Sequence, residues 1–168
     1  MKAYALILLG FFLLSGSAAA QELKPYQGGA APALALADLN GKRHDLQDYR
    51  GQVVMVQFWA TYCAPCIKEM PSVERLKAKL AGRPFAILGV NMGESDKEVR
   101  EFLAKIKVDF NILLDPDAQA IAAWKVFVAP STFLVDVHGN VRYTLQGGAQ
   151  WDAPEMLQTI DGLLAEAR

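Results

Sequence analysis

A chain of 168 residues with 17 basic and 18 acidic side chains carries a formal net charge of −1, which leaves no basic footprint for nucleic acid or an anionic membrane. Its only cysteines are Cys63 and Cys66, which excludes a framework of several structural disulfides. One domain of this size buries about 68–70% of its unfolded surface, enough for a core without covalent staples.

Residues 1–20 read as a targeting segment. Lys2 is a short positive region, Ala3 to Leu14 is apolar, and Ala18-Ala19-Ala20 fits the small-residue cleavage rule, with Gln21 as the mature N-terminus. The apolar run is short for a transmembrane helix, which needs about 20 residues. An uncleaved N-terminal anchor is the alternative. Residues 21–32 are polar and rich in Gly, Ala and Pro, and are expected to form a linker or tail ahead of one domain spanning 33–168.

Within that domain, Ala33 to Leu39 meets Asn40-Gly41, a hairpin signal, and Lys42 to Leu46 returns. Val53 to Trp59 is almost continuously apolar and β-branched, the pattern of a strand covered on both faces. Val73, Leu76 and Leu80 then recur at helical spacing, with a kink expected at Pro71 because it cannot donate to the Ile67 carbonyl. Phe85 to Val90 is a second buried-strand run, which completes a βαβ unit.

Ser95-Asp96-Lys97-Glu98 is a capping box that opens a helix to about Lys105. Ile112 to Leu114 reads as a short strand and Ala118 to Lys125 as a helix. Ser131 to Val137 and Val141 to Leu145 read as strands joined by the turn His138-Gly139-Asn140. A last helix is expected from Ala153 to Ala167, with Asp152 as N-cap and Glu155 completing a box. The expected architecture is one α/β domain around a central mixed sheet.

The cysteines sit where the first buried strand runs into a helix, the redox arrangement for a C-x-x-C pair. A helix starting at Cys63 places its sulfur among unpaired N–H groups at the positive end of the macrodipole, which favours thiolate. Cys66 lies one turn deeper on the same face and can resolve a mixed disulfide formed at Cys63. Three other uses remain open. A structural disulfide would close a very short loop and add little stability. A zinc site needs four ligands, and His44 and His138 fall in hairpin or turn positions, where both read as solvated residues. A peroxidatic cysteine would want an Arg or Thr constellation around a single thiol, and none is recognisable.

Glu69 follows Cys66 by three positions and so shares its helix face. A partly buried carboxyl there would have a raised pKa and could move protons to or from a thiol, whereas out of register it would read as a solvated surface residue. Pro130 cannot pair within a sheet, so it belongs at the first position of a strand or in a strained turn. The residues alone give little reason to expect it in the cis form.

Trp59-Ala-Thr-Tyr-Cys63-Ala-Pro-Cys66-x-x-Glu69-x-Pro71 resembles the active-site signature of thioredoxin-like proteins. The Glu69 and Pro71 extension is similar to that of the exported TlpA/ResA-type thiol–disulfide oxidoreductases, and the Asn40-Gly41 hairpin, Gly89-Val90-Asn91, the Ser95–Ile106 helix, Leu114-Asp115 and Pro130 to Asp136 match in order. The resemblance covers about residues 33 to 165. It implies a thioredoxin-like fold with an N-terminal hairpin and a central helical insertion. It implies a redox-active Cys63–Cys66 disulfide, a cis Ala129–Pro130 bond beside it, and a groove for an extended substrate peptide formed by Trp59, Ala129 and Pro130. It also implies that Glu69 tunes the cysteines.

One departure stands out. Thioredoxins carry a buried aspartate two residues before the active-site tryptophan, whereas this chain has Gln57, so either Glu69 takes over that proton-handling role or the role is reduced.

The function implied is a periplasmic or otherwise extracytoplasmic reductase of protein disulfides, with cytochrome c maturation among the family's pathways. Its expected partners are disulfide-containing exported proteins and a membrane thiol-electron transporter as reductant, with no cofactor and no nucleic acid. A monomer is expected. An oxidant or isomerase uses the same chemistry in another direction, since reduction potentials span about 150 mV from thioredoxin to DsbA. Ala64-Pro65 lacks the histidine of the strong oxidants and favours reduction. A non-catalytic binding module on the same fold is the alternative from a different class.

Overall fold

The computed structural model describes residues 22–166. The expected targeting segment lies outside the described residues. In chain order the elements are β1 (Lys24–Ala30), β2 (Ala35–Ala37), β3 (Arg43–Asp45), a 3-10 turn (Leu46–Tyr49), β4 (Val53–Trp59), α1 (Ala64–Lys79), β5 (Phe85–Met92), α2 (Asp96–Leu103), β6 (Asn111–Asp115), α3 (Gln119–Ala123), β7 (Ser131–Val135), β8 (Asn140–Gln146) and α4 (Pro154–Ala165). Six strands form one mixed sheet in the order β1-β8-β7-β4-β5-β6, and β2-β3 form a separate hairpin. β4 runs parallel to β5 and antiparallel to β7, so the last residues of β4 and the first residues of β7 lie at the same edge, with Phe58 opposite Ser131.

Every residue of β4 is buried because helices or loops cover both faces. Val53, Met55 and Trp59 point into a cluster with Met70, Val73 and Leu76 of α1, Val99 of α2 and Met156, Ile160 and Leu163 of α4. Val54, Val56 and Phe58 point the other way, to Leu88, Val90, Leu113, Trp124, Phe133 and Leu34. Phe58, Trp124 and Phe133 meet with ring centroids 5.1 to 6.0 Å apart. Each fully buried aliphatic side chain in these layers contributes about 1.5–3 kcal/mol. α1 continues through Pro71 to Lys79, so the missing N–H does not end the helix.

Four local expectations are corrected. Residues 21–32 are not a bare linker: Lys24–Ala30 pairs antiparallel with β8 as an edge strand, with an irregular register between Pro25 and Gly29. An edge position accepts Pro25 and leaves the strand exposed, which is why its composition reads as a tail. α4 begins after Ala153, with no side-chain cap. Asp152 is drawn away by Arg75, whose Nε and Nη2 donate at 2.7 and 3.1 Å. His44 is buried, with Nδ1 2.6 Å from the Tyr49 hydroxyl and Nε2 3.0 Å from Asp38 Oδ2. α3 is a single short turn between the left-handed residues Ala118 and Lys125 (φ 55° and 51°). Its first amides, Ala120 N and Ile121 N, donate to the buried Asp115 carboxylate at 3.2 and 2.9 Å.

Candidate active site

The site is built where β4 ends and α1 begins. β4 delivers the chain to the sheet edge, and Ala60 to Tyr62 turn it into α1, with Cys63 as the N-cap residue in extended conformation (φ −87°, ψ 95°). Cys63 Sγ accepts the Cys66 amide at 3.3 Å, one of the orphan donors of the first helical turn. Cys63 and Cys66 are disulfide-bonded. Cys63 is 7% exposed and Cys66 1%, so the outer sulfur is the one a partner can reach.

The turn is anchored from β5. Thr61 donates its amide to Glu94 Oε2 at 2.7 Å and its hydroxyl to Glu94 Oε1. Glu94 in turn accepts from Asn91 Nδ2 at 2.7 Å and donates its amide to Asn91 Oδ1 at 3.2 Å. Sequence reasoning did not reach Thr61 or Glu94. Neither is unusual in its local context, and only tertiary contact joins them.

Glu69 is 2% exposed, on the turn of α1 after Cys66. Its Oε1 accepts from Gln57 Nε2 at 2.6 Å, and its Oε2 accepts from Ala149 N at 2.9 Å and Trp151 Nε1 at 3.0 Å. Burial raises its pKa from 4.5 to about 7, against the opposing pull of the hydrogen bonds from Ala149, Trp151 and Gln57. It is therefore a group that can exchange a proton near neutrality, and the solvated-surface reading does not apply. Gln57, the residue at the position of the thioredoxin aspartate, is bonded directly to it.

The Ala129–Pro130 bond is cis, as the resemblance implied. Pro130 leads into β7 beside the end of β4, and its carbonyl accepts the Gly147 amide at 2.8 Å. Ala129 is half-buried and follows the exposed Phe127 and Val128. Trp59 is placed differently from expectation. It is 1% exposed and packs against Phe102 of α2 at a centroid distance of 5.6 Å, so it supports the turn from below and cannot line a substrate groove. The exposed aromatic residues on the segments that carry the pair and the cis proline are Tyr62 (77%) and Phe127 (84%). Among the described residues, no group of three or more His, Cys, Asp or Glu side chains could hold a metal ion, and no helix is long and apolar enough to cross a membrane.

Residues 27–144 match the model of the AhpC/TSA family. The chain is 37% identical over 121 residues to the thiol-disulfide oxidoreductase ResA of Bacillus subtilis strain 168, covering 72% of this chain and 68% of the relative. It is 38% identical over 120 residues to ResA of Geobacillus thermodenitrificans, covering 71% and 69%. The chain belongs to the ResA-type thiol–disulfide oxidoreductases, within the AhpC/TSA family. Solved structures agree on the fold. A Chlorobium tepidum protein provisionally named thiol:disulfide interchange protein DsbE superposes with a TM-score of 0.76 at 30% identity, covering 85% of this chain and 99% of that one. The exposed lipoprotein thioredoxin Etrx1 of Streptococcus pneumoniae gives 0.69 at 26% identity, covering 78% and 99%. A ResA-type chain with its single C-x-x-C pair closed at a helix N-terminus is a redox enzyme of the thioredoxin-like superfamily.

Proposed function

We propose that this protein is an extracytoplasmic reductase of protein disulfides, exported through residues 1–20 and acting in cytochrome c maturation or a related exported-protein pathway. The observation that carries the reading is the buried Glu69 carboxylate, one helical turn beyond the inner sulfur and poised near neutral pH.

In the reduced enzyme, the Cys63 thiolate attacks one sulfur of the client disulfide. A Cys63–client bond forms and the client's second sulfur leaves as a thiolate that takes a proton. Cys66 passes its proton to the Glu69 carboxylate and attacks Cys63 Sγ, which releases the first client sulfur and closes the Cys63–Cys66 disulfide. Two electrons pass to the client, whose two released thiolates take up one proton from solvent and the one that Glu69 received from Cys66. A membrane thiol-electron transporter reopens the pair. The exposed Tyr62, Phe127 and Val128, on the segments that carry the pair and the cis proline, would receive an extended apolar stretch of the client.

The test is trapping with Cys66→Ser in the extracytoplasmic compartment. Without a resolving thiol, exported proteins should accumulate as mixed disulfides on Cys63, while Cys63→Ser captures none. Trapped species dominated by client proteins that the wild-type enzyme leaves reduced support the proposal. Clients that the wild-type enzyme leaves oxidised would reverse the direction of electron flow and overturn it.

A further inference from the structure

The segment that joins β8 to α4 touches the cis proline, the first turn of α1 and Glu69. Gly147 N donates to the Pro130 carbonyl at 2.8 Å. Gly148 lies so close to α1 that a Cβ there would meet the Pro65 carbonyl oxygen at 3.2 Å and Glu69 Oε2 at 3.7 Å. Ala149 N and Trp151 Nε1 both donate to Glu69 Oε2. Trp151 is completely buried, and its amide donates to Ser72 Oγ at 3.0 Å, while Ser72 Oγ donates to the Glu69 carbonyl at 2.7 Å. Backbone and ring of Trp151 are thus fixed to the same turn of α1 that carries the acid.

The two oxygens of Glu69 face different chemistry. An indole N–H and a backbone amide can only donate, so Oε2 is held as an acceptor. Oε1 faces a side-chain amide, which can rotate to present its oxygen in place of its nitrogen. A proton arriving at Glu69 therefore belongs on Oε1, facing Gln57, while Oε2 stays bound by Trp151 and Ala149.

We propose that Trp151 is a positioning residue for thiol–disulfide exchange: its indole N–H pins Glu69 Oε2 and directs the exchanged proton to Oε1. This rests on the reading of Glu69 as the proton acceptor of Cys66. From the sheet Glu69 meets the neutral Gln57 of β4, whose partner in register on β7 is the neutral Thr132. On its own helix the cysteines before it are disulfide-bonded, and the neighbouring Lys68 is exposed on another face. In the loop, the next charge after Trp151 is Asp152, held by Arg75 at 2.7 Å and Lys79 at 3.8 Å. The three hydrogen bonds are what hold the acid's titration down against burial.

The experiment uses Trp151→Phe, which removes the donor and keeps a large apolar ring. In the oxidised protein, where the cysteines do not titrate, carbon-detected NMR of the Glu69 carboxyl reads its midpoint directly. The midpoint should rise by about one pH unit on loss of one hydrogen bond to a charged acceptor. The pH profile of disulfide exchange should move the same way in the wild-type background and stay put in a Glu69→Gln background. A folded Trp151→Phe protein with an unmoved midpoint overturns the proposal. If Trp151→Phe does not fold, Gly148→Ala reads the same quantity by crowding Pro65 and displacing the loop from Oε2, with an upward shift supporting the proposal and none overturning it. An exchange profile that Glu69→Gln leaves unchanged would count against the proton-acceptor reading alone, because the carboxyl midpoint tests Trp151 without reference to exchange.

Discussion

Glu69 is a side chain whose charge the fold opposes, and that opposition has a measurable thermodynamic signature. Its pKa is about 7 in the folded protein against an ordinary value of 4.5, so the folded state holds a proton that the unfolded chain releases. Between those two pH values the folded state binds more protons, and stability must fall as pH rises. The contribution is fully present below 4.5 and is lost as pH climbs through about 7. Integrating one site with these two pKa values gives a loss of about 2–3 kcal/mol between pH 5 and pH 8.

Glu69→Gln removes the ionisation. Its amide oxygen can accept from Ala149 and Trp151, and its NH2 can donate to Gln57 once that side chain rotates, so the pocket remains hydrogen-bonded. The difference in unfolding free energy between Glu69→Gln and wild type should therefore grow by about 2–3 kcal/mol in favour of the variant from pH 5 to pH 8. Urea titrations of the two oxidised proteins across that range, with equal m-values, measure it. A constant difference across the range would refute the burial argument, and with it the reason for placing a neutral-pH proton acceptor at residue 69.

Two further outcomes are expected. In the reduced protein at neutral pH, a limiting amount of iodoacetamide should label Cys63 before Cys66, because Cys63 is the more exposed sulfur and sits at the helix N-terminus. Peptide mass spectrometry reads the order, and first labelling at Cys66 would reverse the assigned roles. His44→Ala should destabilise the protein by about 2 kcal/mol by leaving the Tyr49 hydroxyl and Asp38 Oδ2 without their partner, while insulin reduction at low denaturant is unchanged. A loss under about 0.5 kcal/mol would return His44 to the solvated-turn reading.

The strands and helices that pack on β4 were legible because their signals are local. Val53 to Trp59 is apolar at every position except Gln57, and burial on both faces is what such a run requires. Ser95 and Glu98 form the capping box that their spacing announces. The misread elements are those whose environment is set from far along the chain. β1 has a loop-like composition and becomes a strand only because β8 offers an edge. Asp152 has the right residue type for an N-cap, but Arg75, distant in sequence, holds its carboxylate. Trp59 belongs to the motif that marks the site, yet it lies on the core face of β4 with Val53 and Met55. Cys63, Cys66 and Glu69 were readable from register on one helix. Trp151, which fixes the orientation of Glu69, lies beyond any local window.

Gln57 shows why a single acid, on the helix, suits this pocket. Gln57 on β4 and Glu69 on α1 share one buried pocket, 2.6 Å apart. Two carboxylates at that distance could not both ionise, and one would be held protonated well above neutrality. This pocket thus has room for a single working acid, on either wall. With glutamine on the strand wall, the acid on the helix wall gains a partner that can present a donor to the carboxylate or an acceptor to the protonated acid. The loop of Ala149 and Trp151 supplies fixed donors to the other oxygen. Position 57 is then not a lost aspartate but the adjustable half of the arrangement that lets Glu69 change protonation state without leaving a buried polar group unpaired.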